Sequence, residues 1–267
     1  MTLFTLETWD AGRLVVNRDF ADLLKRNGWD TFEAVWAKSA DAAVAKNLRT
    51  DRVTLRFTLS DGKQSRVFYI KRHQRSSWKE YIKPLLRLTW PILGARNEWN
   101  ALLDFHQAGL PTMIPVAIGE LGENSFLITE GLEDCTKLSE LKSDHTQSFA
   151  GRVKLIKQIA WLAKTMHGAG MHHQDFYLGH ILRSNSNPDQ LFVIDLGRVQ
   201  KHARLAHRWI VKDLAQLDYS AKASKREQAR FLREYLGRPL EKRDRALMRQ
   251  IQSKTNRIGR HSKKNKL

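Results

Sequence analysis

The sequence predicts an α+β protein in which a small antiparallel sheet with one helix precedes a mainly helical lobe. Residues 53–71 alternate apolar and polar side chains on both sides of the turn dipeptide Asp61-Gly62, as the two strands of a hairpin do. Residues 150–167 place their apolar side chains close to a 3.6-residue period, which is typical of an amphipathic helix. With 267 residues, the chain is long enough for two closely packed lobes with a real core.

The first lobe is expected to contain the hairpin, one helix and a further strand. Residues 31–46 are read as a helical approach to the hairpin, which ends at Lys71. Residues 97–108 follow as a helix whose apolar side chains face inward. The stretch "SFLITE", which ends at Glu130, is a buried strand that leads into a connector. We therefore predict an N-lobe over residues 1–131.

The second lobe is expected to be mainly helical. It contains the long helix of residues 150–167, which Gly168 and Gly170 end, and the short apolar strand "QLFVID". From about residue 208 onward the chain reads as helical and increasingly charged. We predict a C-lobe over residues 132–267 that carries two polar loops and a basic C-terminal tail.

The charge is the unusual feature of the composition. Lys and Arg number 46 against 28 Asp and Glu, which gives a formal net charge of +18. Such a field attracts nucleic acid, an anionic membrane surface or phosphorylated substrates. A nucleic-acid partner is not expected, because the sequence lacks zinc-finger spacing and an RNP-type aromatic strand.

Cysteine usage and the absence of targeting signals favour the cytoplasm. The single cysteine, Cys135, cannot form an intrachain disulfide. The N-terminal residues lack the pattern of a signal peptide, and we find no apolar run of the length that spans a membrane.

Four polar residues occur where the predicted local structure would hold them rigidly: Lys71, Glu98, Asp175 and Asp195. Phosphoryl transfer needs groups of these types. A lysine neutralises the nucleotide phosphates, a glutamate orients that lysine, one carboxylate aligns the acceptor hydroxyl and another holds Mg²⁺. A purely structural role, such as a surface ion pair between Lys71 and Glu98, remains open at this point.

The motifs around these residues resemble those of the protein-kinase-like superfamily. "VFYIK" is similar to its strand-lysine motif, "HQD" at 173–175 to its catalytic-loop triplet, and "DLG" at 195–197 to its metal-binding triplet. The resemblance implies a bilobal protein-kinase-like fold with ATP as the phosphoryl donor. Lys71, Glu98 and Glu130 would then be the nucleotide-binding residues.

Departures from that pattern narrow the class of kinase to which the chain could belong. No glycine-rich loop precedes the hairpin, so phosphate contacts there would come from main-chain amides with Arg49 or Arg52. His180 replaces the metal-binding asparagine. Because Mg²⁺ prefers oxygen ligands, His180 would ligate weakly, act through water or favour Mn²⁺, unless it is a packed core histidine. Gln174 replaces the arginine that would bind an activation-loop phosphate.

The segment between Gly197 and Asp213 is too short for a peptide-docking activation loop, which disfavours a protein substrate. Its cations are Arg198, Lys201, Arg204, Arg208 and Lys212. Such side chains suit an acceptor that already bears negative charge. Arg198, Lys201 and Arg204 are therefore candidate acceptor-binding residues, with a solvated basic face as the alternative.

Longer stretches resemble the Kdo/WaaP family of lipopolysaccharide core kinases. They include "NEWNALLDFHQAGLPTMIPVAIGE", "HGAGMHHQDFYLGHIL", "VIDLGRVQ" and "RWIVKDLAQLDYSA", and the resemblance runs from about residue 66 to 236. In that family a histidine occurs where His180 stands, whereas the metal-binding triplet commonly ends in histidine instead of Gly197.

This resemblance implies ATP-dependent phosphorylation of a heptose or Kdo hydroxyl in the lipopolysaccharide inner core, at the cytoplasmic face of the bacterial inner membrane. Asp175 would be the catalytic residue, and Asp195 and His180 would hold Mg²⁺, with Mn²⁺ as an alternative. Asp213 would anchor the catalytic loop. A protein kinase, a small-molecule phosphotransferase and a catalytically dead kinase-like binding protein are the alternatives.

Two segments are candidates for contact with an anionic inner-membrane surface. Residues 76–93, "SSWKEYIKPLLRLTWPIL", combine aromatic, apolar and basic side chains as interfacial segments do. The C-terminal stretch "RIGRHSKKNKL" adds further basic residues. Acceptor binding by the first segment, or ordinary packing, is the alternative.

Overall fold

The structure is a computed structural model, and it describes residues 3–38, 43–49, 52–60, 62, 64–74, 94–141 and 148–264. The chain divides into two compact units. The first contains Met1–Gln107 and Met113–Glu133, and the second contains Ala108–Thr112 and Asp134–Leu267. Strands dominate the first unit and helices the second, so the predicted α+β class is confirmed.

The first unit is built on a seven-stranded antiparallel sheet of order β1-β2-β6-β7-β5-β4-β3. Its strands are β1 Leu6–Trp9, β2 Leu14–Asn17, β3 Ala43–Arg49, β4 Arg52–Ser60, β5 Ser65–His73, β6 Pro115–Leu121 and β7 Asn124–Glu130. Its helices are α1 Ala21–Arg26, α2 Phe32–Lys38 and α3 Arg96–Gln107.

The predicted hairpin is confirmed as β4 and β5, which pair from Arg52 opposite His73 to Ser60 opposite Ser65. Gly62 in the connecting turn has a φ of +89°, a conformation that glycine adopts without strain. Alternate residues of both strands, such as Leu55 and Phe68, are buried in the core of this unit. In the sheet, β5 lies between β4 and β7, and pairing on both sides fixes the position of its side chains.

The interpretation of residues 31–46 as one helix is wrong at its C-terminal end. The helix α2 stops at Lys38, and residues 43–49 form the edge strand β3 against β4. Alanine-rich sequence favours a helix locally, but pairing with a strand distant in sequence overrides that preference.

The second unit contains five helices and two small sheets among the described residues. The helices are α4 Leu138–Leu141, α5 Phe149–Gly168, α6 His207–Ala221, α7 Lys225–Leu236 and α8 Asp244–Lys264. One sheet has the order β11 Leu191–Val193, β10 Ile181–Ser184, β8 Cys135–Lys137, and the other pairs β9 Met171–His172 with β12 Gln200–Lys201. The predicted helix over residues 150–167 is confirmed as α5.

Packing in the second unit places α6 behind the polar loops. α6 packs against α8, and α5 packs against α7. The buried face of α6 carries two polar side chains, Asp213 and Gln216, among apolar ones. Across the described ranges, none of the helices combines the length and the apolar character that crossing a bilayer requires.

Candidate active site

In the first unit, Lys71 of β5 forms an ion pair with Glu98 of α3. The Nζ atom of Lys71 lies 2.6 Å from Oε1 of Glu98. Glu98 stands in the first turn of α3, where the helix dipole favours a carboxylate, and it is 4% exposed. The lysine is thus oriented by a buried carboxylate, which a solvated surface pair would not provide. Glu80 is nearer to Lys71 in the sequence than Glu98 is, but it lies outside the described residues.

Glu130 ends β7 and pairs with an arginine. Its Oε1 atom accepts hydrogen bonds from Nε and Nη2 of Arg66 at 2.8 and 2.5 Å. The guanidinium of Arg66 also lies over the ring of Phe20, 4.7 Å from its centroid. The carboxylate of Glu130 is therefore fixed within the first unit.

In the second unit, Asp213 of α6 anchors the loop of residues 173–178. Its Oδ2 atom accepts the amide hydrogen of His173 at 2.7 Å, and its Oδ1 atom accepts that of Gln174 at 3.0 Å. Burial alone would raise the pKa of Asp213. The contacts with His167 and with the His173 amide outweigh burial and hold this pKa below its ordinary value.

Two further side chains of α6 bind the same loop. The amide of Gln216 donates to the carbonyl of Gln174 at 2.5 Å and accepts the amide hydrogen of Phe176 at 3.1 Å. The hydroxyl of Ser220 accepts the amide hydrogen of Leu178 at 3.0 Å. Sequence reasoning missed Gln216 and Ser220. Their spacing from Asp213 places all three on one helix face, and that was the available signal.

Gln174 links this loop to the segment that follows the "DLG" triplet. Its φ of +69° is unusual for a residue other than glycine. Its Nε2 atom donates to the carbonyl of Arg198 at 2.9 Å, and its Oε1 atom accepts from Nζ of Lys212 at 3.3 Å. The glutamine thus replaces an expected arginine and binds the segment directly.

Asp175 stands between these anchors and pairs with Arg198. The Nη1 atom of Arg198 lies 3.0 and 3.1 Å from the two carboxylate oxygens of Asp175. The Asp175 side chain is 26% exposed, so its carboxylate is accessible to a substrate hydroxyl.

His180 and Asp195 come together beside Asp175. Asp195 has left-handed backbone angles, φ +62° and ψ +54°, which turn the chain at the end of β11. The Nδ1 atom of His180 lies 2.7 Å from the carbonyl oxygen of Asp175, and it must donate because a carbonyl only accepts. In a neutral ring, the lone pair is then on Nε2, which lies 3.7 Å from Oδ2 of Asp195.

This donor set fits a divalent metal ion. A carboxylate oxygen and an imidazole nitrogen of fixed tautomer face each other, as metal ligands with supporting hydrogen bonds do. Among the described residues, no group of three or more His, Cys, Asp or Glu could hold a metal by itself. Two protein ligands are usual for Mg²⁺, which completes its coordination with water and substrate phosphates.

The segment of residues 198–206 is held in place by the pairing of β12 with β9 and by stacked aromatic rings. β12 pairs with β9, so that Lys201 faces Met171. The ring of His172 lies 5.2 Å from that of His202 and 4.4 Å from that of Trp209, at shallow interplanar angles.

Gly170 allows the close approach of this segment. Its φ is +77°, and a Cβ atom there would lie 2.2 Å from the carbonyl oxygen of His202. The sequence-predicted acceptor residues Lys201 and Arg204 are exposed on the same segment.

Some predicted features fall outside this description. The side chains of Arg49 and Arg52, proposed for phosphate contact, lie outside the described part of the chain, as does the whole of residues 76–93. The basic C-terminal stretch is described as far as residue 264, where it forms the end of α8.

Comparison with known proteins gives consistent results. A family model described as "Lipopolysaccharide kinase (Kdo/WaaP) family" matches residues 33–235. A protein of Escherichia coli named "Lipopolysaccharide core heptose(I) kinase WaaP" is 36% identical over 250 residues, covering 86% of this chain and 92% of that protein. A protein of the same name from Pseudomonas aeruginosa is 38% identical over 244 residues, covering 85% and 88%.

Proposed function

This chain belongs to the lipopolysaccharide kinase (Kdo/WaaP) family, and from that membership we propose that it transfers the γ-phosphoryl group of ATP to a heptose or Kdo hydroxyl of the lipopolysaccharide inner core. One observation carries the proposal. Asp175, His180 and Asp195 meet in the second unit, where α6 holds the loop that carries Asp175 and His180 contacts both aspartates.

Asp175 is the proposed catalytic residue. Its carboxylate accepts a hydrogen bond from the sugar hydroxyl and takes the proton late in the transfer. General-base assistance of this kind contributes about 10²–10⁴-fold to the rate. The hydroxyl oxygen bonds to the γ-phosphorus while the bond to the bridging oxygen of ADP breaks, and the electron pair leaves with ADP.

Lys71, Glu98 and Glu130 are the proposed nucleotide-binding residues, within an N-lobe of residues 1–131. Lys71 would hold the phosphates, with Glu98 fixing its direction. Stabilisation of the transferring charge supplies more of the rate than base catalysis does. The ion pair in the first unit supports this assignment, because it keeps an ammonium group oriented before a nucleotide binds.

Asp195 and His180 are the proposed ligands of Mg²⁺, with Mn²⁺ as the other candidate. When bound, the ion would neutralise charge on the nucleotide phosphates. The fixed tautomer of His180 supports its role as a nitrogen ligand, and nitrogen ligation favours a transition metal more than Mg²⁺.

Arg198, Lys201 and Arg204 are the proposed acceptor-binding residues. Guanidinium groups bind carboxylate and phosphate in a planar, two-pronged geometry. An inner-core acceptor that already carries such groups matches a cationic segment, whereas a cationic small molecule would be repelled.

We place the enzyme at the cytoplasmic face of the inner membrane, in peripheral contact with anionic lipid. The exposed cations of α8, which include Arg257 and Arg260, would each contribute about 1 kcal/mol near such a surface. Sedimentation with anionic liposomes but not with neutral ones is the expected result. Equal sedimentation with both would remove the requirement for anionic lipid, and sedimentation with neither would remove the membrane from the proposal.

Mass spectrometry of the core oligosaccharide tests the main proposal. The purified full chain is incubated with ATP, Mg²⁺ and lipopolysaccharide from a strain that lacks the kinase. A mass gain of one phosphate group on an inner-core sugar is expected. ATP turnover without a phosphorylated core would refute the assigned acceptor, and absence of turnover in the wild type would indicate a binding protein.

A further inference from the structure

The ion pair between Arg198 and Asp175 is fixed from two sides. One nitrogen, Nη1 of Arg198, contacts both carboxylate oxygens of Asp175 at 3.0 and 3.1 Å. The main chain of Arg198 is bound to the same loop, because its carbonyl accepts a hydrogen bond from Gln174 at 2.9 Å. The main chain of Arg198 is therefore held next to the loop that carries Asp175, within reach of its guanidinium.

This ion pair leaves much of the guanidinium available for a ligand. The group has five N–H donors. Within the described part of the chain, both of its recorded hydrogen bonds start from Nη1. The Arg198 side chain is 55% exposed, so the N–H groups of Nε and Nη2 can reach an anion that approaches Asp175.

The charge of the reacting group indicates which anion this would be. In phosphoryl transfer, negative charge spreads over three equatorial oxygens while the entering and leaving oxygens stand in line. The carboxylate that aligns the entering hydroxyl lies at one end of that line. Each hydrogen bond spans about 3 Å, so a cation that touches this carboxylate lies within about 6 Å of the hydroxyl, and its side chain can reach the equatorial oxygens.

A structural role alone does not account for this placement. Exposed ion pairs contribute little to stability. A cation in permanent contact with the hydroxyl-binding carboxylate also competes with the substrate for its oxygen atoms. Such competition is useful when the cation moves onto the phosphoryl group as the hydroxyl takes its place.

Resting on the proposed function, we propose that Arg198 is a catalytic residue whose guanidinium binds the transferring phosphoryl group. It donates hydrogen bonds to the equatorial oxygens while the hydroxyl oxygen bonds to phosphorus and ADP departs with its electron pair. The hydroxyl proton passes to Asp175, so Arg198 stays protonated throughout. Lys201 and Arg204 then bind the anionic groups that the acceptor already carries.

Two rates measured on the same variants test this role. The first is phosphoryl transfer to purified lipopolysaccharide core, with KM for the acceptor. The second is ATP hydrolysis without an acceptor, where water takes the place of the hydroxyl. An arginine at the transferring group is worth about 10³–10⁵-fold, so Arg198→Ala should lower both rates by about 10³-fold. The acceptor KM should rise far less than the rates fall, because Lys201 and Arg204 still bind the acceptor.

A lysine variant and a matched control complete the test. Arg198→Lys should retain part of both rates, because it keeps a charge without the planar fork. Arg233 is a matched control, since its side chain is 51% exposed and pairs with Glu234 at 3.0 Å. Arg233→Ala should leave both rates unchanged. Circular dichroism and the ATP-induced shift in Tm establish that each variant folds, and Arg198→Gln replaces the alanine variant if that one does not.

The outcomes separate this inference from the function on which it rests. If Arg198→Ala hydrolyses ATP at the wild-type rate and has a raised acceptor KM, the inference is overturned and Arg198 only contacts the acceptor. Unchanged transfer in Arg198→Ala would overturn it as well. A wild-type chain that binds ATP but neither hydrolyses nor transfers would instead refute the proposed function, and this inference with it.

Discussion

The side-chain amide of Gln216 bonds the peptide groups on both sides of Asp175. It donates to the carbonyl of Gln174 and accepts from the amide of Phe176. Gln216 is 4% exposed and does not use the Asp175 carboxylate for either bond. Its amide reproduces the hydrogen-bond pattern of a neighbouring peptide, which sets the direction of the Asp175 side chain through the main chain.

Replacing Gln216 with leucine should slow the chemical step more than it weakens substrate binding. Gln216→Leu keeps the side-chain volume but leaves a carbonyl and an amide without this partner. A displacement of about 1 Å at the reacting group costs about 10²-fold, so kcat should fall by roughly that factor while KM for ATP changes less than twofold. Steady-state kinetics measure both.

The control for this variant is a glutamine with a similar number of bonds elsewhere. Gln228 of α7 donates to Asp218 and to the carbonyl of Ala223. Gln228→Leu should lower stability without lowering kcat. A Gln216→Leu enzyme with wild-type kcat would show that the loop holds Asp175 in place without the two hydrogen bonds from Gln216.

Replacing Asp175 should remove transfer and spare nucleotide binding. Asp175→Ala eliminates the hydroxyl-aligning carboxylate, which is worth about 10²–10⁴-fold in kcat. The proposed nucleotide residues Lys71 and Glu98 are untouched by the change. Isothermal titration with a non-hydrolysable ATP analogue should therefore give a Kd within about threefold of wild type. A parallel loss of binding and transfer would contradict the assigned role.

Local signals made much of the fold predictable. The alternating pattern of β4 and β5 and the 3.6-residue period of α5 are complete within short windows, and both elements are where the sequence indicates. β1 and β2 were missed, because strands of four residues carry too little pattern to be recognised. β3 was mistaken for helix because its identity depends on a partner strand.

The candidate site was predictable where chemistry and motif coincide. Lys71, Asp175 and Asp195 stand in short motifs whose residue types are demanded by the reaction. Gln216 and Ser220 escaped notice because their partners are main-chain groups about 40 residues away, which leave no trace in the identity of neighbouring side chains.

Removing Lys71 should destabilise the first unit more than removing a comparable arginine. Lys71→Met leaves Glu98 as an uncompensated carboxylate with a side-chain exposure of 5%. Breaking a buried pair from one side costs about 3 kcal/mol. Arg66→Met breaks the pair with Glu130, which is more exposed, and should cost about 1 kcal/mol. Urea unfolding measures both free energies.

A double variant identifies the cause. Lys71→Met combined with Glu98→Leu removes the stranded carboxylate and should recover part of the lost stability. If Lys71→Met were no more damaging than Arg66→Met, burial of Glu98 would not govern the cost.

Changing His180 to asparagine should shift the metal preference. His180→Asn replaces an imidazole nitrogen with an amide oxygen, which suits Mg²⁺ better than Mn²⁺. The Kd for Mn²⁺, measured by electron paramagnetic resonance with a bound ATP analogue, should rise about tenfold. Activity with Mg²⁺ should fall less than activity with Mn²⁺. His207→Asn on the exposed start of α6 is the control, and unchanged Mn²⁺ affinity in His180→Asn would mark His180 as a packing residue.

The buried ring of His172 should make stability depend on pH. Among the described residues, its Nδ1 atom has no hydrogen-bond partner. Burial lowers the pKa of His172 to about 4; the nearby charge of Asp213 raises this pKa, and the charges of His202, Lys212 and His167 lower it. In the unfolded chain the pKa of a histidine is about 6.5. Between these values the unfolded state binds the proton that the folded state rejects.

Stability should consequently fall as the pH is lowered from about 6.5 towards 4. His172→Phe keeps a flat ring against Trp209 but cannot be protonated. Between pH 7 and pH 4, its free energy of unfolding should therefore fall about 2 kcal/mol less than that of the wild type. Solvent screening makes this difference smaller than the change in the pKa of His172 alone would give. Urea titrations at several pH values measure the difference. His207→Phe, which changes an exposed histidine, should follow the wild-type curve. Parallel curves for His172→Phe and wild type would mean that His172 is protonated alike in both states, and the loss at low pH would then come from carboxylates such as Asp213.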